Sequence, residues 1–237
     1  MSAWRPVVGM SVALALIGAE ASAAQTPATT AACPSNPDWS EYRQMRFTVQ
    51  DQNGQRILLA EGQIDDDMLP RLRGVLEAFE GTEIWIRSPG GNERVAKEAG
   101  RLFRDSGVTT RIPSGWACYG ACNFMFLGGI VHEVDEGGHY IVQTPPLVTV
   151  SDAELAAGGT ALVNEIAEQS ALMATDDNDY LIRMGVARRI LAEIMYQPAA
   201  DGSRRRCLTR AELEQYNISN RAFRPAQVSP SQASKAN

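Results

Sequence analysis

Histidine is almost missing from this sequence: His132 and His139 are the only two in 237 residues. With Cys118 and Cys122 they make four potential zinc ligands, but their spacing matches no compact zinc motif. No metal and no cofactor are therefore expected, and both histidines are read as exposed strand-end residues. Long apolar runs are missing beyond the first 23 residues, which argues against a membrane span in the rest of the chain. Positive charge is in deficit, with 22 basic against 28 acidic residues and a formal net charge of -6. That balance argues against a nucleic-acid partner. The only basic run, Arg204-Arg205-Arg206, reads as a solvated loop. There is no internal repeat.

What is present begins with a leader. Arg5 supplies a thin positive start, Val7 to Ile17 a short apolar core, and Ala21-Ser22-Ala23 a small-residue cleavage site. Residues 1–23 are expected to be a signal peptide, which places the chain in the periplasm or outside the cell; a retained anchor is the alternative. Residues 24–44 begin rich in Ala, Thr and Pro and read as a linker. Residues 45–222 are expected to form one domain, and 223–237 a disordered tail. Export favours oxidation of the four cysteines.

Within the domain, "MRFTV" and "RILLA" read as a hairpin turning at Asn53-Gly54. Asp65 to Asp67 can cap a helix that carries Leu69, Leu72, Leu76 and Phe79 on one face. "EIWIR" is a buried strand. It leads through "SPGGN" into a helix with Val95, Ala99, Leu102 and Phe103 in one stripe. "VTTRI" is the next strand, and "HEVDEGGHYIV" holds two short strands around a Gly-Gly turn. Helices are expected over 151–174, 177–185 and 187–196, with a capping box at Thr209 to Glu212 for the last one. Strand–helix alternation followed by helices predicts an α/β domain with a largely parallel sheet, flanking helices and a helical C-terminal part.

Two stretches carry possible chemistry. In "WIRSPGGN" a strand ends, Pro89 fixes a turn, and Gly90-Gly91 expose backbone N–H groups just before a helix, an arrangement that can stabilise an oxyanion. Such glycine pairs also occur for purely structural reasons. In "ACYGACNFMFLGG", at 117–129, a small-residue turn enters an apolar helix with no serine. Phe124, Met125 and Leu127 read as core, and Tyr119 as packing on the turn.

Taken in order, Ser88-Pro89-Gly90-Gly91, Cys118-Tyr119-Gly120-Ala121-Cys122, Gly128-Gly129, "YLIRMGV" at 180–186 and "LTRAEL" at 208–213 resemble one family. It is the superfamily of the Clp protease proteolytic subunit and crotonase, and more closely its small exported bacterial members. The resemblance covers roughly residues 45–220. It implies a ClpP/crotonase-like fold and a possible homo-oligomer. It also implies backbone donors at Gly91 and Ala121, beside Gly90, for an acyl oxygen. The family's nucleophilic serine falls on Gly120 and its general-base histidine on Gln143. A mechanism of that kind needs both an attacking oxygen and a base. The family's acid falls near Arg205, with Asp201 close by. His139 lies about 13 Å along the strand from Gln143, too far to stand in for the base.

Two functional readings follow. In the first, the Ser–His pair is lost and the exported protein binds a peptide or acyl ligand, or scaffolds an assembly, without catalysis. In the second, a hydrolase or acyl-transfer enzyme uses Cys118, Cys122 or Glu93 in place of the serine; Glu93 also reads as a solvated first-turn residue. A Cys118–Cys122 disulfide would remove the thiol version. On a helix, positions four apart place Cα atoms about 6 Å apart, inside the disulfide range. Cys33 and Cys207 are then the natural second pair, and separate buried thiols are the alternative.

Overall fold

The computed structural model describes residues 33–52, 54–144, 151–197 and 203–221. The expected leader, the first part of the linker, the tail, Asn53 and Asp201 lie outside them. In chain order the elements are β1 (Arg46–Gln52), β2 (Gln55–Glu61), α1 (Met68–Ala78), β3 (Glu83–Arg87), α2 (Glu93–Asp105), β4 (Thr109–Ile112) and β5 (Ala117–Tyr119). There follow α3 (Ala121–Phe126), β6 (Val131–Val134), β7 (His139–Gln143), α4 (Asp152–Arg183), a π-helical turn at Leu191–Met195, β8 (Arg205–Cys207) and α5 (Arg210–Gln215).

The strands form two sheets. The larger has the order β1-β2-β3-β4-β6, with β1 antiparallel at the edge and the other three pairings parallel. The smaller has the order β5-β7-β8, with β5 and β7 parallel and β8 antiparallel. The expected α/β fold with a largely parallel sheet is therefore present. Alternation drives the central strand: Ile84 and Ile86 of β3 are fully buried while Trp85 between them is only half-buried. Asn92 caps α2 by accepting a hydrogen bond from Val95 N at 3.1 Å, and Val95, Ala96, Ala99 and Phe103 fill the core from it. Gly100 lets α3 approach α2 closely, because a β-carbon on it would lie 2.9 Å from Phe124 O, and Gly128 just after α3 does the same, because a β-carbon there would lie 2.2 Å from Gly100 O.

Several local expectations are corrected. Asp65 does not cap α1; its carboxylate accepts from Met45 N at 3.0 Å and pairs with Arg71 at 2.7 Å. The strands β6 and β7 do not pair with each other but join different sheets. The helices expected over 151–174 and 177–185 are one element of 32 residues, kinked at Gly159 (φ 54°, ψ -146°). Half of the helix expected over 187–196 is the short π-helical turn Leu191–Met195. The basic run is no solvated loop: Arg205 to Cys207 form β8, Arg206 pairs with Glu212 at 2.8 Å, and Arg205 lies over the Trp39 ring at 4.7 Å. The capping box at Thr209 and Glu212 forms as expected.

The later part of the expected linker lies against the domain. A disulfide joins Cys33 to Cys207, and Asp38 bridges to Trp116 and pairs with Arg87 at 2.6 Å. The C-terminal segment also folds back. His132, expected at an exposed strand end, is fully buried, with Nδ1 2.7 Å from Ile218 O. A carbonyl accepts, so Nδ1 carries the proton. Asn220 Oδ1 accepts from His132 N at 2.9 Å.

Burial pushes His132 down to about 4, helped by the positive charge of Arg104 and opposed by the Ile218 carbonyl. The folded chain thus binds this proton less readily than the unfolded chain, whose histidine titrates near 6.5. The stability that neutral His132 contributes is fully present above pH 6.5 and is lost as the pH falls from there toward 4. Urea unfolding at pH 7 and pH 4 is expected to show the wild type losing about 3 kcal/mol more than His132→Gln, which cannot titrate. Equal losses would mean that His132 is not held neutral.

Candidate functional site

The site is built where the two sheets meet. Ser88, just after β3, bridges to Cys118 of β5: Ser88 N donates to Ala117 O at 3.0 Å and Tyr119 N donates to Ser88 O at 3.1 Å. These bonds carry the Gly90-Gly91 loop against the turn that follows β5. A β-carbon on Gly90 would lie 2.8 Å from Tyr119 O and 3.3 Å from Ala121 N, so only glycine permits the approach. Ser88 Oγ accepts from Gly90 N at 3.1 Å. Among the described residues, the N–H groups of Gly91 and Ala121 have no hydrogen-bond partner.

Gly120 is the hinge between β5 and α3, at φ 57° and ψ -120°. This sharp strand-to-helix turn is the backbone shape that presents a nucleophile in hydrolases. A β-carbon there would sit 2.8 Å from Gln143 Oε1. The two positions where the resemblance puts serine and histidine are therefore neighbours in space, and Gly90, Gly91 and Ala121 lie beside them. Arg205, near the position expected for the family's acid, sits on Trp39 and carries no carboxylate.

Cys118 and Cys122 are joined by a disulfide, and neither is exposed. Contrary to the expectation of one helix, Cys118 belongs to β5 and Cys122 to α3, with Cα atoms 5.4 Å apart. The bridge spans the Gly120 turn and leaves no thiolate there, so neither sulfur is available as a nucleophile. Tyr119 packs on Trp39 with ring centroids 5.7 Å apart, and its hydroxyl donates to Arg204 O at 3.3 Å.

A cleft of about 220 Å³ opens in front of Gly120 and Gln143. Its walls include Glu93 from α2, Asp177 from α4, Tyr196, Arg204, and the apolar Phe124, Met173 and Met195. A larger open hollow of about 620 Å³ lies beside β1; of its guanidinium groups Arg43, Arg46 and Arg71, the last pairs with Asp65 and Arg46 lies over the Tyr42 ring at 3.9 Å. It holds none of the turn and loop geometry described above.

Behind the cleft wall lies a charged cluster that the sequence reading missed. Lys97 is only 3 % exposed and contacts Glu93 at 2.8 Å, Asp176 at 2.6 Å and Asp177, which is only 4 % exposed. Its ammonium also lies 4.7 Å from the Phe124 ring centroid. Burial alone would lower the lysine pKa, but hydrogen bonds to Asp176, Asp177 and Glu93 outweigh it and hold the ammonium charged. Tyr196 Oη donates to Asp177 Oδ2 at 2.7 Å. Burial raises the Glu93 pKa, the Asp177 charge adds to that, and Lys97 opposes it. Glu93 is thus not simply solvated, since it faces the cleft with a carboxyl held above the usual range. The Glu93–Lys97 spacing of four was the available signal; the partners at 176 and 177 come from a helix about eighty residues later.

Removing the cation strands a buried carboxylate. Lys97→Met is expected to cost about 3–5 kcal/mol of unfolding free energy in chemical denaturation. The double variant Lys97→Met/Asp177→Asn should recover much of that loss. A single variant as stable as wild type would mean that the cluster is solvated.

No protein-family model matches the chain, and no curated protein matches it. Solved structures of similar fold include a mutant of ClpP1 from Listeria monocytogenes, 15% identical, covering 69% of this chain and 88% of that chain, with a TM-score of 0.47. ClpP1 from Listeria monocytogenes itself is 14% identical over 69% of this chain and 88% of that one, with a TM-score of 0.45. A mutant of the 1510-N membrane-bound stomatin-specific protease is 15% identical over 69% of this chain and 75% of that one, also at 0.45. These likenesses concern the course of the backbone alone.

Proposed function

We propose that this is an exported protein whose hydrolase-like site has lost its nucleophile and base, and which binds a peptide or acyl ligand in the cleft without turning it over. The observation that carries the reading is the Gly120 turn. It holds the conformation that presents a nucleophile, a β-carbon on it would lie 2.8 Å from Gln143 Oε1, and neither position offers an attacking or proton-accepting group. The unengaged amides of Gly91 and Ala121 remain as donors for a ligand carbonyl oxygen. Periplasmic or secreted location belongs to the same proposal and is supported by the leader-like first 23 residues and by two disulfides. So does a homo-oligomer, supported by Val163, Leu172 and Met173 standing exposed on α4. A single-chain mass by light scattering would remove that part.

A second reading is favoured by one observation: Glu93 faces the cleft with a raised pKa. A carboxylate base beside backbone donors supports proton transfer on an acyl group without a serine.

The test is hydrolysis of a panel of short peptides, acyl esters and acyl thioesters by the purified protein. No turnover above buffer is expected. The variant Gly120→Ser/Gln143→His is expected to acquire slow acylation at position 120 by an activated ester, read as a mass shift. Wild-type turnover that vanishes in Glu93→Gln would overturn the first reading in favour of the second.

A further inference from the structure

Asn123 is the one polar side chain in the run "ACNFMF", and it is only 2 % exposed. Its Nδ2 donates to Ile141 O at 2.9 Å. That bond fixes which way the amide faces, because exchanging its oxygen and nitrogen would set two acceptors against each other. Asn123 Oδ1 is left buried with no hydrogen-bond partner. Asn123 lines the same cleft as Gly120, Gln143 and Glu93. A buried acceptor without a donor is costly, and natural structures rarely keep one without a use.

The charge around it points to the kind of donor. Glu93 and Asp177 line the cleft, and with Asp176 they put three carboxylates around the single ammonium of Lys97. Asp177 is engaged through both oxygens, Oδ1 by Lys97 and Oδ2 by the Tyr196 hydroxyl. Glu93 Oε1 lies 2.8 Å from the Lys97 ammonium, and 42 % of the Glu93 side chain stays exposed, so its carboxylate can still accept from a ligand. Among the described residues, the only guanidinium on the cleft wall is that of Arg204, which enters beside Thr144 from the strand side, whereas the carboxylates enter from α2 and α4. The surplus of negative charge is felt by Glu93 itself, whose pKa Asp177 helps to raise. A ligand cation would relieve it.

We propose that the cleft seats a primary ammonium group of its ligand, accepted by Asn123 Oδ1 and the Glu93 carboxylate, with Asp177 behind them. This deepens the binding reading above and rests on it. A neutral acyl chain or an amide N–H could meet Asn123, but neither would answer the carboxylate surplus. An ammonium carries three donors and a charge and meets both demands. It can come from a peptide N-terminus or from a lysine side chain.

Three peptides separate the outcomes by isothermal titration at pH 7: trialanine amide with a free N-terminus, N-acetyl-trialanine amide, and N-acetyl-Ala-Lys-Ala amide. At least one ammonium-bearing peptide is expected to bind about tenfold tighter than the neutral one, the scale of a hydrogen bond to a charged group. Which of the two binds identifies the source of the ammonium. The advantage should disappear in Asn123→Leu and in Glu93→Gln; the second variant keeps the test open if the first disturbs α3. Equal binding of all three peptides, or an advantage intact in Glu93→Gln, overturns the ammonium seat and leaves the peptide-binding reading standing. Binding of none of them removes both, and Asn123 Oδ1 then holds only a buried water.

Discussion

Two backbone hydrogen bonds at Ser88 hold the functional half of this molecule in place. They join the first residue after β3 to β5, and so fasten one sheet to the other at the point where the Gly90-Gly91 loop begins. Without them the glycine loop and the Gly120 turn would belong to separate layers. With them, the loop backbone lies within van der Waals reach of Tyr119 O and Ala121 N. The disulfide across the turn then fixes β5 to α3, and Asn123 fixes α3 to β7 through Ile141. The site is thus held by backbone and covalent ties rather than by the side chains that would do chemistry. Its shape therefore does not depend on which side chains stand at positions 120 and 143.

The cleft gains its character from a second layer. Lys97 sits on the buried side of α2 because three carboxylates from two helices meet it there, and Asp177 is buried only because Lys97 and Tyr196 satisfy it. Each partner makes the other's burial tolerable. The result is a rigid acidic wall opposite the strand edge that carries Gln143, Thr144 and Arg204. A binding site benefits from that rigidity, since little side-chain freedom is left to lose when a ligand arrives.

The sequence made legible what depends on local periodicity and on short motifs. The strand at "EIWIR", the stripe on α2 and the cap at Thr209 all follow from neighbours within a few residues, whereas for the four cysteines the sequence offered the observed pairing beside separate thiols and left the choice open. What it hid depends on distant partners. His132 looked like a strand-end residue because its burial comes from Ile218 and Asn220, which fold back across β6. The cluster at Lys97 was missed because two of its partners lie on α4. The basic run at 204–206 looked solvated because neither Trp39 nor Glu212 could be placed beside it. Asn123 also carried a usable sign, a lone amide inside an apolar run, and its orphaned oxygen became meaningful only once the cleft was known.

The two disulfides differ in reach: one closes a separation of 4 residues, the other a separation of 174. During synthesis or export the chain emerges from its N-terminus. Cys122 follows Cys118 at once, so the short bridge can close while most of the later chain is still absent. Cys33 must wait for Cys207, by which time the first pair no longer offers a thiol for mispairing. Of the three ways four cysteines can pair, the order of emergence favours the one observed. The turn at Gly120 can therefore be fixed early, and the N-terminal segment with Trp39 is drawn over Tyr119 last, as a clasp on a frame already set.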